Sequence, residues 1–228
     1  MNMKRLILLF IALAPSITFA QFDESWNLPG YTPIAEIVIL DQLENTEGIK
    51  KTGDIFSKAK GVFSISAINT IQNRAMEKLK TEASLRGASH LYIKNFNPEN
   101  SVFSKTASYS ASTYRQEGEI NFTKARDFLK DNQLQIELSR KYNRNAWKVI
   151  DQIQSKPVQR IKVEDIQEKG GRVLVKIFTS ENQAILCEVI GLSDTRILLT
   201  TETRGNEEFE LLGLGIRDKN VNIIQNRQ

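Results

Sequence analysis

Few residues in this chain have the type and spacing for chemistry. Cys187 and His90 are the only cysteine and the only histidine. A thiolate beside an imidazole base is the simplest activated nucleophile, but these two lie 97 residues apart with no local motif joining them. In Ala184-Ile185-Leu186-Cys187-Glu188-Val189 the cysteine alternates with Ile185 and Val189, which predicts a small core hydrophobe on one strand face. One histidine leaves a His-based metal site or a Ser-His-Asp triad nothing to draw on. Glu207, Glu208 and Glu210 lack the Asp/Asn/Gly loop spacing of a calcium site and predict a solvated strand edge. Gly213-Leu214-Gly215 precedes no helix, so it is not a dinucleotide loop. The sequence thus offers no catalytic residue, no metal ligand, and no residue or motif for a cofactor. A non-enzymatic protein is the expectation. Glycosidase-type carboxylate pairs are set by three-dimensional geometry, so a hydrolase with dispersed carboxylates stays open as an alternative.

One constellation suits binding. From Asp131 onward, Leu134, Leu138, Tyr142, Ala146, Val149, Ile150 and Ile153 recur at helical spacing. Arg140, Arg144 and Lys148 follow at i, i+4 and i+8 on the opposite flank, with Trp147 beside them. These four are the candidate contacts to an anionic surface, whether phospholipid, lipopolysaccharide or an acidic partner. The same flank also suits a solvated helix face. The alternation Leu134-Gln135-Ile136-Glu137-Leu138 fits a strand as well, so residues 133–142 are open between the two.

The N-terminus sets the address. Lys4 and Arg5 precede the apolar run Leu6 to Ala14, and Thr18-Phe19-Ala20 closes it. A positive start, a short apolar stretch and a small-x-small end predict a secretory signal peptide cut after Ala20. The run is too short for a bilayer span of about 20 residues, and no cysteine follows the cut to take a lipid. The expected product is periplasmic or secreted, soluble, and not lipid-anchored.

Composition is that of a globular chain: 228 residues, 40% hydrophobic and 25% charged, with 12 Gly and 5 Pro. This excludes a disordered tail, a collagen-like repeat and a disulfide-stapled scaffold. Net charge is 0 over residues 21–124, +4 over 125–172 and −2 over 173–228. The basic excess is local, which argues against a nucleic-acid partner.

Three regions follow the signal segment (1–20): an α+β domain over 21–124, a basic helical connector over 125–170 and a small β-barrel over 171–228. In the first, Ile34 to Leu40 predicts a strand, Gly48, Gly53 and Gly61 mark turns, and Val62 to Ile65 predicts a second strand. Asn69, with Gln72 three residues later, predicts a helix start. Ile68, Ile71, Ala75, Met76, Leu79 and Ala83 form its apolar stripe, and Gly87 stands at the expected left-handed terminus. His90 to Lys94 then predicts a strand, Asn97-Pro98-Glu99-Asn100 a turn, and Ser104–Tyr114 and Glu119–Thr123 two antiparallel strands. In the last region, Arg172–Thr179, Ala184–Ile190, Arg196–Thr203, Glu207–Leu214 and Asn220–Ile224 predict five short strands. The expected architecture is one main helix on an antiparallel or mixed sheet, a helical connector, and an all-β barrel.

Two resemblances accompany this reading. Ile71-Gln72-Asn73-Arg74-Ala75-Met76-Glu77-Lys78-Leu79-Lys80, then Glu82-Ala83 and Leu85-Arg86-Gly87-Ala88-Ser89-His90-Leu91-Tyr92-Ile93, is a helix with an "A…L…A…GA" pattern entering a strand. Residues 34–94 thereby resemble the small β-α-β domains of the YbjQ type and of the Rcs-pathway outer-membrane stress sensor. That sensor's lipid-anchoring and disulfide cysteines have no counterpart here. Residues 172–224 look like an SH3-like or Sm-like barrel through Gly191, Asp194, Ile197, Leu199 and Thr201 between strands two and three. The signal peptide, the two-part pattern and the absence of a catalytic motif together lead to the expectation of an exported envelope protein acting as a binding or interaction module, an envelope-stress or assembly adaptor with an envelope protein partner. A peripheral protein on anionic lipid, lipopolysaccharide or glycan is the other binding alternative.

Overall fold

A computed structural model describes residues 24–42, 47–61, 67–101, 105–143, 149–152, 162–178, 184–202 and 208–216. The expected signal segment (1–20), the expected strands Val62–Ile65 and Asn220–Ile224, and Arg144, Trp147, Lys148 and Glu207 lie outside them. Among the described residues the fold is mostly β, with two sheets.

The first sheet is built from β1 (Val38–Leu40), β2 (Ile49–Lys60), β3 (His90–Asn100) and β4 (Lys105–Gln116), in the order β1-β3-β4-β2. β1 runs parallel to β3; the other pairings are antiparallel. Helix α1 (Ile68–Leu85) covers one face. Its residues Ile71, Ala75, Leu79 and Ala83 are fully buried, the i, i+4 stripe the spacing predicts. Ala59, Ala107 and Ala111 under the helix are short enough to let it approach the strands. The helix ends in a Schellman motif: Ala88 N donates to Ala83 O and Gly87 N to Ser84 O, both at 2.9 Å. Gly87 has φ +65°, and a Cβ there would meet Ile190 Cγ2 at 2.6 Å and the Arg115 guanidinium. Only glycine fits both the backbone and the contact.

Several local expectations change. Ala67, not Asn69, is the N-cap residue, and it makes no side-chain cap. Gly48 does turn, with φ +76°, but Gly53 lies inside β2 rather than marking a turn. The inward positions of β2, Ile55, Ser57 and Ala59, are small or polar, so the period-2 signal is weak; Ser57 Oγ donates instead to Ala75 O (2.8 Å). Asn97 to Asn100 continue β3 rather than turning. β1 pairs only His90–Tyr92, so among the described residues Pro98 lies on an open edge and needs no N–H toward a neighbour. Glu119–Thr123 is not a strand: Asn121 caps helix α2 (Phe122–Asp131), its Oδ1 accepting from Lys124 N at 2.9 Å.

The largest correction concerns the connector and the barrel. The expected helix from Asp131 is β5 (Leu134–Asn143), paired to the short β6 (Val149–Gln152). They join β7 (Lys162–Lys169), β8 (Arg172–Phe178), β9 (Ala184–Leu192), β10 (Arg196–Glu202) and β11 (Glu208–Ile216). The result is a seven-stranded antiparallel sheet in the order β6-β5-β11-β10-β9-β8-β7. A five-stranded SH3-like barrel with a helical connector is therefore not the architecture. A strand won over residues 134–143 because β11 offered a long partner, pairing from Leu134 to Asn143. The sheet rolls around a core that draws on β8 to β11, on Leu134 from β5, on Val163 and Ile166 from β7, and on Ala125, Phe128 and Leu129 from α2.

The two sheets meet through a second cluster. Trp26, Leu28 and Tyr31 of the N-terminal segment pack with Leu85 of α1 and with Tyr142, Ile190, Leu198, Phe209 and Leu211 of the large sheet. Leu192 N donates to Pro29 O (3.0 Å), and Arg196 Cζ lies 4.7 Å from the Trp26 ring centroid. The segment straps the large sheet before Ile37 enters the core under α1.

Candidate binding cleft

The junction face of the large sheet carries an unusual row of polar side chains. Register aligns Leu174 with Glu188, Glu188 with Thr200, Thr200 with Leu211 and Leu211 with Arg140. Glu188, Thr200 and Arg140 are 6%, 8% and 7% exposed. Buried charges require partners, and Glu188 has two. Its Oε1 accepts from Arg115 Nη1 at 3.0 Å; its Oε2 accepts from Arg172 Nε at 2.7 Å and from Arg172 Nη2.

Arg115, itself 6% exposed, belongs to β4 of the first sheet. Its Nε donates to Gly87 O (2.5 Å) and its Nη2 to Arg86 O (3.2 Å). A cation on the last carbonyls of a helix is favoured by the orphan acceptors and the dipole there. Arg115 thus ties the end of α1 to Glu188, and Glu188 passes the tie to Arg172 at the start of β8. Next to this clasp, Arg86 pairs with the buried Glu82 (3.1 Å) and lies over the Phe209 ring at 4.7 Å.

Between the sheets this arrangement encloses a cleft of about 260 Å³. Arg86 and Arg172 supply cations at its walls, while Leu174, Leu186 and Phe209 supply apolar surface. Thr52 and Thr113 face it from the first sheet, hydrogen-bonded to each other at 2.9 Å. Thr200 also lines it, and Thr200 Oγ1 is buried with no hydrogen-bond partner. Three guanidiniums, those of Arg86, Arg115 and Arg172, face two carboxylates, Glu82 and Glu188. A second hollow of about 230 Å³ adjoins it, sharing Thr52 and Arg172, with Glu119 in its wall. Burial pushes the Glu119 carboxyl above the ordinary glutamate range, partly opposed by Arg115.

Of the residues expected to contact an anionic surface, Arg140 is on β5 and buried at the junction. It is near enough to Tyr31 to pull that phenol's pKa down, against the larger upward effect of burial. It is therefore not an outward helical cation. Cys187 packs in the core of the large sheet; burial, and secondarily Glu210, push its thiol up to about 12. A thiol so held is protonated and inert. His90 sits on β3, beside Ser89 Oγ at 2.9 Å from its Nδ1, in the other sheet from Cys187. Glu208 and Glu210 lie on an inner strand, not an edge, and accept from Asn143 (3.0 Å) and Ser139 (2.8 Å) of β5. Among the described residues no group of three or more His, Cys, Asp or Glu could hold a metal ion, and no helix is long and apolar enough to cross a membrane.

Sequence reasoning passed over Arg86, Arg115, Arg172, Glu188 and Thr200. The available signal was a lone charge inside an apolar strand, Glu188 between Cys187 and Val189. Such a residue must find an opposite charge, though the sequence does not say which. A scan against protein-family models finds none that matches, and searches of curated proteins and of solved structures return no match.

Proposed function

We propose that this chain is an exported binding module of the cell envelope, and that its ligand site is the cleft between the two sheets. The observation that carries this reading is the unpartnered Thr200 hydroxyl, buried in a cleft walled by arginines. An orphan buried hydroxyl costs about 1–3 kcal/mol, a cost that a bound acceptor removes. Export rests on the N-terminal pattern ending at Ala20. Binding rather than turnover is favoured by the cleft's groups: Glu188 has both oxygens engaged, and the adjoining thiol is held protonated. The expected partner is another envelope component that presents the ligand. The test is expression of the tagged chain, cell fractionation and mass measurement. An exported product beginning at Gln21, stabilised by small ligands but not consuming them, is the expected result. A cytosolic product that retains Met1, or turnover of a glycan, peptide or ester library at enzyme-like rates, overturns the proposal.

A further inference from the structure

The smaller hollow of about 230 Å³ beside the cleft is lined by both Lys50, of β2, and Glu119, in the link from β4 to α2. Among the described residues the two side chains are neither ion-paired nor hydrogen-bonded, to each other or to a third group. Glu119 Oε2 is buried without a donor. The other cations of the walls are engaged: Lys51 with Asp54, Arg115 and Arg172 with Glu188. Glu117, also in the wall, is exposed to water. We infer that this hollow binds a small free amino acid, its ammonium on Glu119 and its carboxylate on Lys50.

The argument is charge complementarity. A carboxylate held partly away from water is answered best by a cation that also donates hydrogen bonds. Desolvation is visible at Glu119, whose carboxyl burial pushes above the ordinary glutamate range. Arg115 opposes that shift from a distance, but its own donors go to Gly87, Arg86 and Glu188. A simple cation would answer Glu119 and meet Lys50; a simple anion would do the reverse; a neutral molecule would leave both charges unanswered. A zwitterion meets both. Lys50 is also placed for the task. Its stem crosses the backbone of Gly171 in the β7–β8 turn, where an added Cβ would lie 3.3 Å from Nζ and 3.7 Å from Cδ. The volume lies below the roughly 300–1,000 Å³ of sites for drug-sized ligands, which suits a molecule of amino-acid size. The site adjoins the Thr200 cleft but does not depend on that cleft holding a ligand.

The experiment titrates the mature chain with glycine, alanine and leucine at about pH 7, and with propionate, ethylamine and propionamide as the anionic, cationic and neutral controls. Binding is followed by calorimetry and by amide chemical shifts. Saturable binding of at least one amino acid is expected, with shifts at Gly118, Glu119 and Gly171, and each control should bind about tenfold more weakly or worse. Glu119→Gln and Lys50→Gln should each cost about tenfold in affinity, while Lys50→Arg, which keeps the charge, should retain most of it. Neither glutamine variant removes an existing ion pair, so both should stay folded by circular dichroism, and the controls on the unaltered chain test the inference without any variant. Propionate or ethylamine binding as tightly as the amino acids overturns the inference, because one of the two charges is then not read. Propionamide binding equally well overturns it too. Full affinity in Glu119→Gln, with loss in Glu117→Gln, overturns the assignment of the carboxylate. No saturable binding of any amino acid below about 10 mM overturns the inference and leaves the Thr200 cleft reading standing. Shifts confined to Thr200 and Leu186 also overturn it, and they support that cleft instead.

Discussion

Replacing Glu188 by Gln tests whether the buried clasp holds the two sheets together. The substitution keeps the side-chain volume and removes the charge that Arg115 and Arg172 share. Arg172 is 47% exposed at its side chain, so water screens most of its loss, on the order of 1 kcal/mol or less. Arg115 is different, because it is 6% exposed. Stripping one partner from a buried pair costs about 3–5 kcal/mol. Arg115 keeps the Gly87 and Arg86 carbonyls, so the lower end, about 3 kcal/mol, is expected. For a chain of this size that lowers Tm by roughly 6–12 °C. Urea unfolding, read by far-UV circular dichroism and tryptophan fluorescence, measures it, with Arg172→Gln as the exposed control. The double variant Arg115→Met with Glu188→Leu removes both charges and should lie closer to wild type than either single variant. The coupling expected in such a cycle is about 2 kcal/mol or more. A loss below about 1 kcal/mol for Glu188→Gln, or single losses that simply add, would refute the buried clasp.

Three further outcomes are expected. Trp26→Ala should cost about 3–5 kcal/mol, because Trp26 is buried against Gly213 on the junction face; wild-type urea stability in this variant would show that the N-terminal strap is not part of the core. Cys187, with its thiol pushed up to about 12, should resist disulfide-exchange reagents at about pH 8 in the native state and react fully in denaturant; rapid native labelling would contradict its burial. Glu119 has a raised folded pKa, so its contribution is fully present below the ordinary glutamate range and is lost as pH rises through the raised value. Glu119→Gln should therefore raise Tm at about pH 7 and change it little at about pH 4, and an equal effect at both pH values would exclude that origin.

Where one strand or helix settles its own burial, the structure follows the sequence. The α1 stripe and the Gly87 terminus are local facts, a 3.6-residue period and a positive φ, and both are read directly. The strands at Arg172, Ala184, Arg196 and Glu208 start within a residue of expectation because their inward faces are aliphatic. Reading fails where a partner decides. β2 hides because its inward positions Ser57 and Ala59 lie under a helix backbone that needs small side chains there. β5 carries a pattern that fits two periods, and β11, about 70 residues further on, selects the strand. That choice turns Arg140 from an outward cation into a buried one. The cleft was illegible for the same reason. Arg86, Arg115, Arg172, Glu188 and Thr200 come from five separate stretches of chain, and among them only Glu188, a charge inside an apolar strand, stands out locally.

The clasp also bears on why the junction is polar at all. Buried ion pairs are inefficient at stabilising a fold, and well-packed apolar groups of similar volume often do as well or better. What Glu188 supplies is position. It accepts from β4 of one sheet and from β8 of the other, so it fixes where Arg172 stands relative to α1 and Arg86. An apolar junction at this place would bring Leu174 and Leu186 toward Phe209 and close the space that Thr200 lines. On this argument, stability and ligand binding separate in the double variant Arg115→Met with Glu188→Leu. Folding should recover most of the loss of the single variants, while ligand binding in the cleft should not recover, because Arg172 has lost the carboxylate that orients it. A double variant that regained both would show that the clasp serves the fold alone.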